Sequence, residues 1–430
     1  MGLMSISPID GRYRMKLGNL SEYFSEYALI KKRVYVELMY LKQLGKGDYL
    51  FVYEKFDEKE AQKIKEIEEK TCHDLKAVEY YIKNKVPDNV KEFVHYGLTS
   101  EDINNLSYGL LIQEFLKEIL HKKLASLLDT LRSKSVEHKN IPMLAKTHGQ
   151  PASPTTVGKE FLVFKSRLEK QIEKLRKLKL TGKLNGAVGN YNALVFAEPE
   201  RDWIKFSKEF ITKLSLQPNL FTTQIEPKDT LVELFQCIKR INNIILDLDR
   251  DMWLYISYGY FRLNKIEGEV GSSTMPHKIN PIDFENSEGN IKIANALFTA
   301  FEDLQVSRLQ RDLSDSTMMR NIGVAFSHSM LAYDSTLKGL SKSEPNIEAI
   351  EKDLNEHPEV LTEAIQTFLR KSGQKDAYEK LKSISRGENI TLDQLRNFIK
   401  NLDIEGKDKL LSLEPKDYIG LANKLSSLED

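Results

Sequence analysis

Cysteine is scarce in this chain: Cys72 and Cys237 are the two among 430 residues. With no spaced framework around them, they exclude a disulfide-stapled scaffold and a cysteine-built zinc site, and they suit a reducing compartment. Surplus charge is absent as well. Lys plus Arg and Asp plus Glu both number 63, so the formal net charge is zero. Nothing favours general attraction to nucleic acid or to a membrane surface, and any anion site must be local. Long apolar runs are missing too. A bilayer-spanning helix needs about 20 successive apolar residues, and the sequence has no such stretch. The first residues show neither a charged-then-apolar leader nor a myristoylation signal, since Ile6 stands where Ser or Thr is required. The expectation is a soluble, cytoplasmic protein.

What the chain does have is helical periodicity. Leu231, Leu234, Ile238, Ile241, Ile245, Leu248, Met252 and Tyr255 alternate steps of three and four, the spacing of one buried helical face. Val232, Phe235, Ile244 and Leu246 widen that stripe, which predicts a helix touching several neighbours. Similar patterns predict helices from about Asn105 to Glu137, with Phe115, Ile119 and Leu124 inward, and from about Gly158 to Leu180. Two more are expected, one opening at Pro281 and running through Leu304, the other over roughly Thr317 to Leu340. Alternating strand patterns are scarce, and no low-complexity tract or internal repeat is visible. At this length two or three domains are expected. Gly373, Gly387 and Pro415 punctuate shorter helices after Ser341. The division expected is 1–103, an N-terminal helical domain; 104–340, a central helical bundle; and 341–430, a C-terminal helical domain.

The run Gly271-Ser272-Ser273-Thr274-Met275-Pro276-His277-Lys278-Ile279-Asn280-Pro281 carries the strongest chemical signal. Gly271 and the small hydroxyl residues free the backbone, and Pro276 limits its conformers. Asn280 and Pro281 read as a helix N-cap and first helical position, with Asp283 and Glu285 in the first turn. Helix N-termini attract anions, and Lys278 adds to that field. A mobile loop that grips carboxylates or phosphate is expected. Elsewhere, Thr147-His148-Gly149-Gln150-Pro151-Ala152 places an imidazole in a bend between two helices, and histidine moves protons near neutral pH. Thr99 and Ser100, followed by Glu101 and Asp102, suit helix capping.

The loop run resembles the signature of the fumarase/aspartase superfamily, and its form Met-Pro-His-Lys-x-Asn-Pro resembles the adenylosuccinate lyase family within it. Thr147–Ala152, Thr71-Cys72-His73-Asp74, Gly11-Arg12-Tyr13, Thr99-Ser100, Thr222–Pro227 and Arg311–Arg320 are similar to further segments of that family. The resemblance implies an all-α, three-domain fumarase/aspartase-like fold with a central long-helix bundle, assembled as a homotetramer. It implies elimination of fumarate from adenylosuccinate, giving AMP, and from SAICAR, giving AICAR. No cofactor and no metal are expected, and neither nucleic acid nor membrane is an expected partner. Ser272 would be the base and His148 the acid, with the reverse role for His148 left open.

The same resemblance assigns substrate contacts to Arg12, Tyr13, Cys72, His73, Asp74, Thr99, Ser100, Gln224, Ser273, Lys278, Ile279, Asn280 and Asn286. It also assigns them to Arg311, Ser316, Thr317, Met318, Met319 and Arg320. Lys278 and Asn280 would hold the succinyl carboxylates, while Arg311, Ser316 and Arg320 would face the nucleotide. Cys72 departs from the polar or basic residue common at that place in the family. A sister lyase, such as argininosuccinate lyase or a carboxymuconate cycloisomerase, would not need Arg12, Gln224, Arg311 and Arg320 for a phosphate pocket. A silent helical scaffold would not need Ser272, His148 and Lys278.

Overall fold

The long apolar stripes become helices in the computed structural model, which describes residues 3–265, 274–275, 277–385 and 390–428. Ser100–Phe115 continues through a π turn, Leu116–Leu120, into His121–Glu137; the other long helices are Val157–Lys177, Asp229–Ser257, Ile282–Ala300 and Ile322–Lys342. Two compact units result, one of Met1–Leu124, Gln171–Asn243 and Gly289–Tyr333, the other of Ala125–Lys170, Ile244–Glu288 and Asp334–Asp430.

The first unit packs around aromatic rings. Phe115 lies 4.8 Å from Phe24 and 4.9 Å from Phe326 between ring centroids, and Phe235 stacks on Phe298 at 5.4 Å. Such edge and offset contacts add to the burial of large side chains. Gly323 sits where a Cβ would meet the Phe24 Cβ at 2.4 Å, so close approach there requires glycine.

The second unit holds an antiparallel hairpin, Pro142–Thr147 with Gln150–Thr156. His148 at φ 53° and Gly149 at φ 73° form its two-residue turn. Positive φ at both central positions is what a type I′ turn needs to match strand twist. The bend at His148-Gly149 was expected, but the strands beside it were not, because Pro142, Pro151 and Pro154 obscure the alternation. Farther along, Leu361, Ile365, Leu369, Leu395 and Ile399 share a small core of C-terminal helices.

Three helix expectations are corrected. The helix over Thr317 to Leu340 is broken into Ser314–Met319 and Ile322–Lys342. The Asn321 amide donates to the Thr317 carbonyl at 3.0 Å, and the Asn321 carbonyl accepts from Val324 N–H at 3.0 Å, so this residue closes one helix and opens the next. In the Ser100–Glu137 helix the inward residue after Phe115 is Leu120, fully buried, rather than the half-buried Ile119. The π turn between them accounts for the shift. The helix expected to open at Pro281 is assigned as Ile282–Ala300, and the Pro281 carbonyl accepts from Phe284 N–H at 3.1 Å. Proline thus sits one position earlier, at the cap.

Candidate functional site

In the first unit, helix ends surround a polar hollow of about 570 Å³. The helix Glu58–Thr71 stops at Cys72, which adopts the left-handed conformation and donates its N–H to the Glu68 carbonyl at 2.7 Å. His73 then caps Asp74–Lys83, its Nδ1 accepting from Lys76 N–H at 3.2 Å. That bond leaves the proton of a neutral ring on Nε2. Thr99 caps the helix that begins at Ser100, and the Thr99 N–H donates to Asp102 Oδ2 at 2.9 Å. These three termini bring Cys72, His73, Asp74, Thr99 and Ser100 to the hollow, where they meet Gln224, Arg311, Ser316, Thr317 and Arg320.

Charges around it are paired. Arg33, buried, donates from Nε to Asn104 Oδ1 and from a terminal nitrogen to Asp74 Oδ2, both at 2.8 Å. Arg320 approaches the same carboxylate oxygen at 3.5 Å. Burial would raise the Asp74 pKa, but Arg33, the Leu75 N–H and Arg320 together hold the group below the ordinary carboxylate value. Lys228 lies 2.8 Å from Asp315 and 3.4 Å from Glu101; Arg311 lies 3.3 Å from Glu101. Burial would lower the Lys228 pKa, yet the two carboxylates raise it; burial also raises that of Glu101. Two cations, Lys228 and Arg311, thus stand among the carboxylates of Glu101 and Asp315, with Glu226 accepting from Lys228 N–H at 2.7 Å. The Arg320 side chain is 62% exposed, and a guanidinium has five N–H donors, so most remain available to an anion.

Beneath this wall the Asp102 carboxylate is wholly buried. It accepts from Lys183 Nζ at 2.7 Å, Asn185 N–H at 3.0 Å and Gly186 N–H at 3.1 Å. The cap of the Ser100 helix and the Lys183–Gly186 segment are thus tied to one group.

Other expected residues are not among those lining the hollow. Arg12 is exposed and Tyr13 half-buried, with Lys16 Nζ 5.7 Å from the tyrosine ring. Met318 is half-buried, whereas Met319 is buried and lines a neighbouring cavity of about 300 Å³ that shares Asp74 and Arg320. In the second unit, His148 is exposed at the hairpin turn. Lys278 and Ile279 are exposed and Asn280 half-buried; Asn286 accepts from Ser335 Oγ at 2.8 Å. Gly271, Ser272, Ser273 and Pro276 lie outside the described residues.

Arg33, Asn104, Lys228 and Asp315 were not found by sequence reasoning. Each is an ordinary polar residue on an otherwise helical pattern, and its partners lie far away along the chain. The double acid Glu101-Asp102 at a helix start was the one local signal.

Comparison with known proteins supplies the family. A family profile described as lyase matches residues 50–295, and one described as adenylosuccinate lyase C-terminal matches residues 307–419. The adenylosuccinate lyase of Legionella pneumophila (strain Corby) is 48% identical, covering 98% of this chain and 98% of its own length. That of Escherichia coli (strain K12) is 45% identical, covering 98% and 97%. Among solved structures, a fumarate lyase from Mesorhizobium sp. BNC1 superposes with a TM-score of 0.79 at 17% identity over 95% of this chain and 96% of its own. The 3-carboxy-cis,cis-muconate lactonizing enzyme from Pseudomonas putida gives 0.76 at 20% over 95% of each. These two likenesses establish the mostly helical superfamily fold. Matched by both profiles and by relatives of nearly half identity along its whole length, this chain belongs to the adenylosuccinate lyase family of the fumarase/aspartase superfamily.

Proposed function

We propose that the chain eliminates fumarate from adenylosuccinate, leaving AMP, and from SAICAR, leaving AICAR. It is a lyase by family, and the observation that supports this substrate pair is the hollow of the first unit. Arg311, Arg320, Ser100, Ser316 and Gln224 line it with donors suited to a phosphorylated ribotide.

Elimination needs three things: loss of a weakly acidic proton beside a carboxylate, stabilisation of the charge that develops, and a proton for the departing nitrogen. Ser272 removes the carbon-bound proton, the electron pair forms the fumarate double bond as the C–N bond breaks, and His148 protonates the nitrogen. Serine is a weak base in water, so it works here through a closed loop in which cations and N–H donors favour its alkoxide. Lys278 and Asn280, with Ser273, hold the succinyl carboxylates, where fixed donors stabilise growing negative charge. Arg12 and Tyr13 take the phosphate, and Cys72, His73, Asp74, Thr99 and Gln224 position the rest of the nucleotide. Ile279, Asn286, Thr317, Met318 and Met319 complete the contacts.

The reading includes a homotetramer in the cytoplasm, built from segments 1–103, 104–340 and 341–430. Among the described residues no helix is long and apolar enough to cross a membrane. The test is direct: purified protein given adenylosuccinate releases fumarate and AMP in equal amounts, and given SAICAR releases fumarate and AICAR. Release of neither would overturn the assignment.

A further inference from the structure

In the second unit, His138 follows the last turn of the helix His121–Glu137 with its side chain 5% exposed. Its backbone is fixed: the His138 carbonyl accepts from Ile141 N–H at 3.1 Å and from Gly158 N–H at 3.0 Å. Its ring packs against Phe161 at a centroid distance of 6.3 Å. Gly158 cannot carry a side chain without striking the Ser135 carbonyl at 2.2 Å, so the backbone is pressed close here.

Within this fixed setting His138 Nε2 is buried and has no hydrogen-bond partner. A buried ring nitrogen left unpaired needs an explanation, because its desolvation is uncompensated. The nearest carboxylate oxygen of Glu137 stands 3.9 Å away, too far for a hydrogen bond. Glu344 joins them from the strand Ser343–Pro345, which pairs with Phe261–Leu263. One ligand atom from each of the three residues lies within 4.8 Å of the others. Both glutamates are exposed, so the cluster opens to solvent on one side and is closed by His138 on the other.

We infer that Glu137, His138 and Glu344 form a binding site for one divalent cation of the zinc class. One imidazole and two carboxylates are the donor set such ions accept, and a water can take the fourth position. Donors spaced a little too widely to bond one another are drawn together by an ion between them. Lys134, whose ammonium donates to the Ser343 carbonyl at 3.1 Å, brings one positive charge nearby; the two carboxylates outweigh it. None of the three ligands is among the residues read as touching substrate, so the site stands independently of the catalytic reading.

The test is titration of the full-length, chelator-treated protein with CoCl2, followed by visible absorption, with ZnCl2 as competitor. The expected result is one Co²⁺ per chain, with ligand-field bands that Zn²⁺ abolishes. His138→Gln should remove those bands. Glu344→Gln, which alters an exposed side chain and leaves the fold intact, should weaken binding at least about tenfold, the lower bound known for groups one step removed from a metal. Absence of stoichiometric binding, or equal binding by the wild type and Glu344→Gln, would overturn the site.

Discussion

Lys183 donates to the Asp102 carboxylate at 2.7 Å, and neither side chain has any exposed surface. Removing one partner of such a pair leaves an uncompensated charge in the interior. Lys183→Met should therefore lower unfolding free energy by roughly 3–5 kcal/mol, measured by denaturant titration. Asp102 also fixes the cap at Thr99, so the same variant should bind AMP more weakly. Wild-type stability in Lys183→Met would show that the pair contributes little.

Arg33 should matter to turnover although it is a positioning residue. Its guanidinium holds Asp74, whose side chain borders the polar hollow of the first unit. A hydrogen bond to a charged group is worth about 1.5–3 kcal/mol, so Arg33→Met should raise KM by roughly one to two orders of magnitude. The accompanying fall in kcat should be smaller. A fall in kcat at unchanged KM would place Arg33 elsewhere in the cycle.

Asp249 gives the second unit a pH dependence. Its carboxyl is buried, accepts from Thr336 Oγ1 at 2.8 Å, and has its other oxygen unpartnered. Burial pushes its pKa up to about 8, against about 3.9 in an unfolded chain. Between those values the folded state holds a proton that the unfolded state has released. Stability from this group is thus complete at low pH and declines as pH rises from about 4 to about 8. Asp249→Asn should flatten that part of the profile and gain relative to wild type at pH 8, read from thermal melts at pH 5 and pH 8. An unchanged slope would count against a neutral Asp249.

Ser272→Ala should leave the melting temperature alone and reduce kcat by about 10²–10⁴, the range for a general acid or base. Single-turnover measurements with adenylosuccinate separate this chemical step from product release. Near-normal turnover would remove Ser272 from the mechanism.

The helices were legible because burial repeats every three or four residues: Leu231, Leu234, Ile238 and Ile241 are all buried, as their spacing required. Periodicity ran past Arg320 because Met318, Met319 and Ile322 keep the pattern while Asn321 breaks the backbone. The hairpin was hidden by its prolines. Helix-end logic marked Thr99 and Ser100 for a helix start, family likeness marked Arg311 and Arg320, and all four line the hollow. Neither reveals that Lys228 is buried between Glu101 and Asp315, since a lysine is buried only when distant partners allow it.

The widened turn at Leu116–Leu120 has a consequence for sequence length. Each added helical residue rotates the downstream part of the helix by about 100°, yet Phe115, Leu120, Leu124, Leu127 and Leu131 all remain buried. The step of five between Phe115 and Leu120 is absorbed locally, so neighbouring rows stay in phase. A chain lacking one of these intervening residues would keep the same inward faces with an ordinary turn. Two added residues would exceed what one bulge can accommodate and would turn Leu124 and its successors toward water.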